Sequence, residues 1–465
     1  MNSAVPPSPP PEAAAAGRSG APSVRWRAAD VSAPVWITVG SCALLAAWQP
    51  LGLVITLALA WITWEFVRLG RTAPPARRKF AVRTGVTVLI LVLVVFKYTP
   101  WLLSLVSVPA DWQGRWFVPL GLSFTVFRLV GVLLDGTALK QPITAGRVFF
   151  LTLFAPTFVA GPITTNTSLT PLACAEGIRT RFRQGSERII LGLFRKAVLA
   201  DQLQSLLVGP WLAGGANRLS PQQALVLPVL LGLEIYWDFA GYSDIAIGAG
   251  ALLGYRVPEN FNRPYVSRSV IEFWRRWHIT LSEWIRTRLM MKMAGRRATT
   301  ARMYAATVIS MGLCGLWHGA GLNFLVWGLW HGVGLAVVHL FGEMKRRSGR
   351  LAQWSARPAA ALSTIATFVF VTAGWIVFFL PLSEAMVWLQ RVASLRPGLE
   401  VPQAATLWTL AALGFGWYWS SKPAATWGRL PGVLRGVLTA AMCGAVVYFL
   451  VFGSSGPQEF IYAQF

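Results

Sequence analysis

Acidic side chains are scarce in this chain: 18 Asp and Glu stand against 42 Lys and Arg in 465 residues, a formal charge of +24. Cysteine and histidine are scarcer still, with four of each. Cys42, Cys174, Cys314 and Cys443 lie far apart, mostly in apolar runs and without CxxC spacing, so neither a disulfide framework nor a metal site is implied. The first 23 residues, MNSAVPPSPPPEAAAAGRSGAPS, contain no apolar run. That excludes a cleavable signal peptide, and residues 1–33 read as a disordered tail. No segment recurs at a fixed period, which gives no support to a solenoid or to a transporter assembled from recognisable repeats.

What is abundant is apolar surface. Hydrophobic residues make up 55% of the chain, charged residues only 13%, and the mean hydropathy is +0.52, values of a chain whose solvent is mostly lipid. A bilayer core of about 30 Å needs roughly 20 apolar residues in a helix. Windows near 35–67, 84–108, 116–134, 147–165, 223–254, 304–341, 360–381, 404–420 and 431–453 approach or exceed that length, some of them enough for two passes. The expectation is an all-α integral membrane protein of about ten to twelve helices, with residues 34–465 as one embedded domain. Most basic residues fall between these windows, so membrane topology explains the charge better than nucleic acid does. The stretches RLGRTAPPARRKFAVR (68–83) and GEMKRRSGR (342–350) read as cytoplasmic loops, and Arg25 and Arg27 put the N-terminus on the same side.

From Leu231 to Gly334 the chain changes character, becoming dense in Trp, Gly, Asn, His and charge. EIYWDFAGYSDIAIGAG sets Glu234, Asp238 and Asp244 in a membrane-like segment, where ionisable residues are costly unless they face a polar interior. They are either site residues or a structural cluster paired with the arginines that follow. Those arginines belong to FWRRWHITLSEWIRTRL (273–289). At helical spacing this stretch has an aromatic stripe of Trp274, Trp277, Leu281, Trp284 and Arg288, and a polar stripe of Arg275, His278, Ser282 and Arg286. The plain reading is an interfacial helix with its arginines at headgroups. In GLCGLWHGAGLNFLVWGLWHGVG (312–334), His318 ends an apolar run among small residues. A neutral imidazole, with an unperturbed pKa near 6.5, suits proton abstraction from a hydroxyl there. A packed core histidine is the alternative, and His331 and His339 are weaker candidates.

FAPTFVAGPIT (154–164), DFAGYSDIAIGAGALLGYRVPENFNRPY (238–265), EFWRRWHITLSEWIR (272–286) and GLWHGAGLNFLVWGLWHG (315–332) occur in that order. The chain resembles the membrane-bound O-acyltransferase family, in its bacterial branch of alginate O-acetyltransferases and teichoic-acid D-alanyl transferases. The likeness runs over about 115–335. It implies a helical rim around a thinned centre, where an extracytoplasmic funnel and a cytoplasmic opening meet through a tunnel. His318 then matches the family's essential catalytic histidine. His278 matches the second active-site position, which is Asn in many eukaryotic members. Asp238, Tyr242, Ser243, Asp244, Asn262, Trp274, Arg275, Ser282, Arg286, Trp317 and Asn323 are the candidates for lining the substrate path.

The resemblance further implies an acyl thioester co-substrate, acetyl-CoA or an acyl carrier, with no bound cofactor and no metal. It implies lipid and a secreted acetyltransferase as partners, no nucleic acid, and a multi-pass position in the inner membrane. One departure bears on the donor. Relatives commonly continue the second motif as Trp-x-Arg-Asp-Tyr, followed by a Gly-Gly-Asn-Arg loop, where this chain reads WIRTRLMMKMAGRRATT, with Thr287 in place of the acid. Arg296 and Arg297 remain as basic residues for an anionic donor. O-acetylation of a polysaccharide is the leading reading. Acylation of a lipid or small metabolite, and a transporter or scaffold using the same polar centre, are the alternatives.

Overall fold

The computed structural model describes residues 29–105, 116–136, 142–172, 177–295, 297–347, 356–395 and 430–452. Fourteen helices carry the argument. They are α1 (Ala29–Trp48), α2 (Pro50–Thr72), α3 (Pro75–Leu105), α4 (Leu122–Gly136), α5 (Ala145–Leu153), α6 (Ile178–Leu193) and α7 (Pro221–Leu252). They continue with α8 (Val270–Arg276), α9 (Ile279–Ile285), α10 (Thr300–His318), α11 (Leu322–Arg347), α12 (Ala356–Phe379), α13 (Leu382–Ala393) and α14 (Gly432–Phe452). Among the described residues six are long and apolar enough to cross a membrane, namely α2, α3, α7, α11, α12 and α14. The chain is a helical, multi-pass membrane protein. A two-residue antiparallel pairing of Thr170–Pro171 with Tyr255–Arg256 is the one ladder among the described residues.

Several expectations change. The basic stretch 68–83 is not a loop, since only residues 73 and 74 lie outside α2 and α3, and its arginines instead line the ends of a tight helical hairpin. Of the windows long enough for two passes, 35–67 and 304–341 each hold parts of two helices, α1 with α2 and α10 with α11, while 223–254 is the single helix α7. Ser220 and Gln223 close its N-terminus reciprocally, with Ser220 N–H donating to Gln223 Oε1 at 2.9 Å and Gln223 N–H to Ser220 Oγ at 3.1 Å. Helix α1 begins at Ala29, within the stretch expected to be a tail. Residues 1–28, the 404–420 window, Cys174, Arg296 and positions 348–350 lie outside the described residues.

The 147–165 window does not span. Helix α5 stops at Leu153, one turn follows at Ala155–Phe158, and residues 161–164 are irregular yet buried. Pro156 and Pro162 deny the chain the amide protons a continuous helix needs. Irregular backbone at such depth must find partners inside the protein. Arg128 of α4 supplies them: 1% exposed, it donates to the carbonyl of Thr152 at 3.0 Å and to that of Thr157.

Helix α7 is the central post. Its glycines Gly241 and Gly248 meet Gly192 and Gly185 of α6, both pairs seven residues apart. A Cβ on Gly192 would stand 2.6 Å from the Gly241 carbonyl oxygen, and one on Gly241 2.8 Å from that of Gly192. Backbones approach this closely in membranes only where side chains are absent. After Leu193 the chain of α6 runs on through two widened π-type turns, Phe194–Ala200 and Gln204–Val208. The wider turn brings Lys196 and Asp201, five apart, within 2.9 Å. Against the other side of α7 packs an aromatic core in which Trp237, Trp277, Trp327 and Trp375 are almost fully buried.

Candidate active site

The single helix expected over 273–289 is broken at its histidine. Helix α8 ends at Arg276, Trp277 is extended, and His278 takes the left-handed conformation, φ 40° and ψ 56°, before α9 starts. Asn260 imposes the break. Its carbonyl accepts from Ile279 N–H at 2.9 Å, and its Oδ1 accepts from the Thr280 hydroxyl at 2.9 Å. Asn262 N–H also donates to the Arg276 carbonyl at 2.9 Å. A left-handed non-glycine residue costs about 1–3 kcal/mol, and such strain gathers at functional sites. The break turns His278 inward, 1% exposed, while its expected stripe partners Arg275 and Arg286 stay in the open.

Asn260 also fixes the imidazole. His278 Nδ1 lies 3.0 Å from Asn260 Oδ1, an atom that already accepts from Thr280 N–H at 3.4 Å and is therefore the amide oxygen. Nδ1 must then donate, which leaves the lone pair of the neutral ring on Nε2. The amide nitrogen of Asn260 donates to Ser243 Oγ at 3.2 Å, tying this edge to α7. Phe239 meets the His278 ring edge-on at 4.7 Å.

His318 is the last residue of α10, 2% exposed. Its position depends on a hairpin of bare backbones: a Cβ on Gly315 would strike the carbonyl of Phe324, and one on Gly328 that of Met311. Trp317 at 4.6 Å, Trp327 at 5.1 Å and Phe378 at 5.1 Å wall the imidazole. Phe124 links His278 to the wall around His318, lying 6.3 Å from the His278 ring and 5.7 Å from that of Trp317. From α3, Lys97 donates to the carbonyl of Trp317, and the Tyr98 hydroxyl to that of Leu316.

The remaining candidates divide. Trp317 belongs to the wall, and Asn323 braces it by donating to the Phe378 carbonyl at 3.2 Å. Ser243 holds Asn260, and Ser282 donates to the Trp277 carbonyl at 3.0 Å across the break. Trp274 faces a third buried histidine, with Nε1 3.4 Å from Nδ1 of His331. Tyr242 donates to the Pro156 carbonyl at 3.4 Å and supports the irregular segment. Asn262 contributes its backbone, as above. Asp238 and Asp244 are buried and paired, but with cations of the preceding helix and its extension, not with the arginines of 273–289. Lys196 meets Asp238 at 2.6 Å, Arg188 meets Asp244 at 2.6 Å, and Arg195 also meets Asp244. Arg286 pairs at the surface with Glu283 at 2.7 Å, and Arg275 is exposed. Neither joins the histidines.

Asn260 and Lys97 were missed from the sequence. Asn260 sits in an irregular stretch with no periodicity to mark it. Lys97, a charged residue well inside an apolar window, carried a readable signal.

The model of the MBOAT, membrane-bound O-acyltransferase family, matches residues 41–383. The chain is 34% identical over 342 residues to a probable alginate O-acetylase AlgI of Azotobacter vinelandii, covering 70% of this chain and 64% of that one. It is 26% identical over 380 residues to a peptidoglycan O-acetyltransferase of Helicobacter pylori, 74% of this chain and 70% of that one. Over 219 residues it is 33% identical to a teichoic acid D-alanyltransferase of Streptococcus thermophilus, 43% of this chain and 52% of that one. The chain thus spans 64% of the Azotobacter relative, less than two thirds of its length. With a family match that takes in both histidines and the helices that hold them, this chain belongs to the membrane-bound O-acyltransferase family.

Proposed function

We propose that the protein transfers an acyl group, acetyl first among them, from a thioester donor such as acetyl-CoA or an acyl carrier on the cytoplasmic side to a hydroxyl of an exported polysaccharide, from a multi-pass position in the cytoplasmic membrane. The observation that carries the reading is His318, a buried imidazole at a helix end, enclosed by aromatic rings, one of which, Trp317, shares Phe124 with a second buried histidine whose tautomer is fixed. The likeness to a probable alginate O-acetylase, a peptidoglycan O-acetyltransferase and a teichoic acid D-alanyltransferase supports the acceptor class. A secreted acetyltransferase is the expected relay outside the cell.

In the proposed reaction a ring nitrogen of His318 takes the acceptor hydroxyl proton as its oxygen attacks the thioester carbonyl. The tetrahedral intermediate collapses with cleavage of the C–S bond, and the imidazolium returns the proton to the departing thiolate. An alcohol is a poor nucleophile at neutral pH, and a positioned base contributes about 10²- to 10⁴-fold. His278 orients His318 or the carbonyl and is not itself the principal base.

His318→Ala removes a ring packed against Trp317, Trp327 and Phe378 and keeps the main chain unchanged, so it should insert and fold. In detergent it should bind acetyl-CoA like the wild type and lose acetyl transfer to the polysaccharide by at least about 10²-fold. Transfer near the wild-type rate would sink the mechanism.

A further inference from the structure

We infer that Lys97 is a positioning residue for His318: together with the hydroxyl of Tyr98 it fixes the end of α10 from which the imidazole projects. The inference rests on His318 being the base. Helix α10 stops at His318, so the carbonyls of its last turn have no partner within the helix. Gly319 N–H returns to the Leu316 carbonyl at 3.2 Å. The other donors come from 218 and 220 residues away, Tyr98 to Leu316 and Lys97 to Trp317. Both fall on the two peptide carbonyls immediately before the histidine, where a shift of backbone is felt directly at the imidazole.

Lys97 grips the side chain as well as the backbone. Its Nζ stands 5.4 Å from the centroid of the Trp317 ring, and that ring stands 4.6 Å from the imidazole of His318. A cation is also attracted to the negative end of a helix dipole, which is where α10 presents its carbonyls. The location makes the residue unusual. Lys97 lies inside a stretch of α3 long and apolar enough to cross a membrane, and an amine at that depth is expensive without a specific partner. A hydroxyl would cap one carbonyl at lower cost. The amine supplies several donors, enough to hold a carbonyl while lying against a ring.

The test uses full-length protein in nanodiscs with ¹⁵N-labelled histidine, since the chain has only four histidines and His318→Ala assigns the signal in question. Lys97→Met keeps the length of the side chain and removes its donors. It should move the ring ¹⁵N signals of His318, and lower the rate of acetyl transfer from acetyl-CoA by about 10²-fold, the loss typical of a misplaced catalytic group. The KM for acetyl-CoA should stay within about threefold if the carbonyl clamp acts on the chemical step. Lys97→Arg, which keeps charge and donors, should recover most of the rate. Tyr98→Phe should lower it about threefold, the loss of one neutral hydrogen bond. A Lys97 that only glues α3 to α10 would reduce the yield of folded protein and leave the His318 signals and turnover of the folded fraction unmoved, which overturns the inference. Should Lys97→Met not accumulate, unmoved His318 signals together with the wild-type rate in Tyr98→Phe overturn it equally. Wild-type transfer by His318→Ala, by contrast, sinks the reading of the base and leaves the ¹⁵N comparison on Lys97 standing as its own test.

Discussion

Between α6 and α7 polar groups are buried by matching charge with charge, whereas at the tip of α10 a polar ring is buried by surrounding it with other rings. In the first region Asp244 takes Arg188 and Arg195, Lys196 spans Asp238 and Asp201, and Arg188 reaches on to Glu259 at 2.7 Å. In the second, the hydrogen bonds from α3 fall on the carbonyls of Leu316 and Trp317, and Trp317, Trp327 and Phe378 face the imidazole. A charge in a low-dielectric interior must be neutralised by its neighbours, and once paired it has little left to offer a substrate. A neutral imidazole has no such requirement, so rings can enclose it and favour the unprotonated ring with its lone pair available. On the proposed reading of His318 as the base, charge density alone points to a different part of this molecule.

The comparison breaks first where the network is cut. Asp244→Ala leaves Arg195 buried without its acid, and should cost about 3–5 kcal/mol of stability, read as loss of folded protein on heating in detergent. Unchanged stability with transfer abolished would instead move the network into the reaction. Asn260→Ala removes one oxygen from both His278 and Thr280 and should cost about 1–3 kcal/mol in a denaturation measurement, with a fall in transfer alongside. His278→Asn keeps a polar side chain in place, and should retain transfer at about a tenth of the wild-type rate, a loss of about 1.4 kcal/mol. A loss as complete as that of His318→Ala, in folded protein, would overturn the division of roles. Arg286→Ala, at an exposed pair with Glu283, should shift stability by less than about 0.5 kcal/mol and leave transfer intact. A clear loss of transfer there would show that the exposed stripe meets the donor.

Much of this was legible in the residues. Apolar windows gave the helices, because a lipid solvent makes span length and composition nearly sufficient. The small residues around His318 gave a tight site, and Gly315 and Gly328 do bring α10 and α11 into backbone contact. Helical periodicity misled at 273–289, where spacing set Arg275, His278, Ser282 and Arg286 on one stripe. A stripe assumes an unbroken helix, and Asn260, thirteen residues before the segment, ends it. The 147–165 window misled for a related reason, since hydropathy counts apolar residues but cannot register that Pro156 and Pro162 interrupt the helix or that Arg128 takes up the carbonyls released.

The sequence by itself determined the class of the molecule, its apolar spans, and the two histidines set among motifs of the family, because these depend on local composition and on residues adjacent in the chain. Only the tertiary structure decided which acids are paired and by which cations, that His278 turns inward while Arg275 and Arg286 do not, and that Lys97 reaches the carbonyl before His318. Each of those outcomes rests on a hydrogen bond or ion pair between residues far apart in the chain, formed where burial leaves a polar group no water to turn to, and no local pattern encodes such a partner.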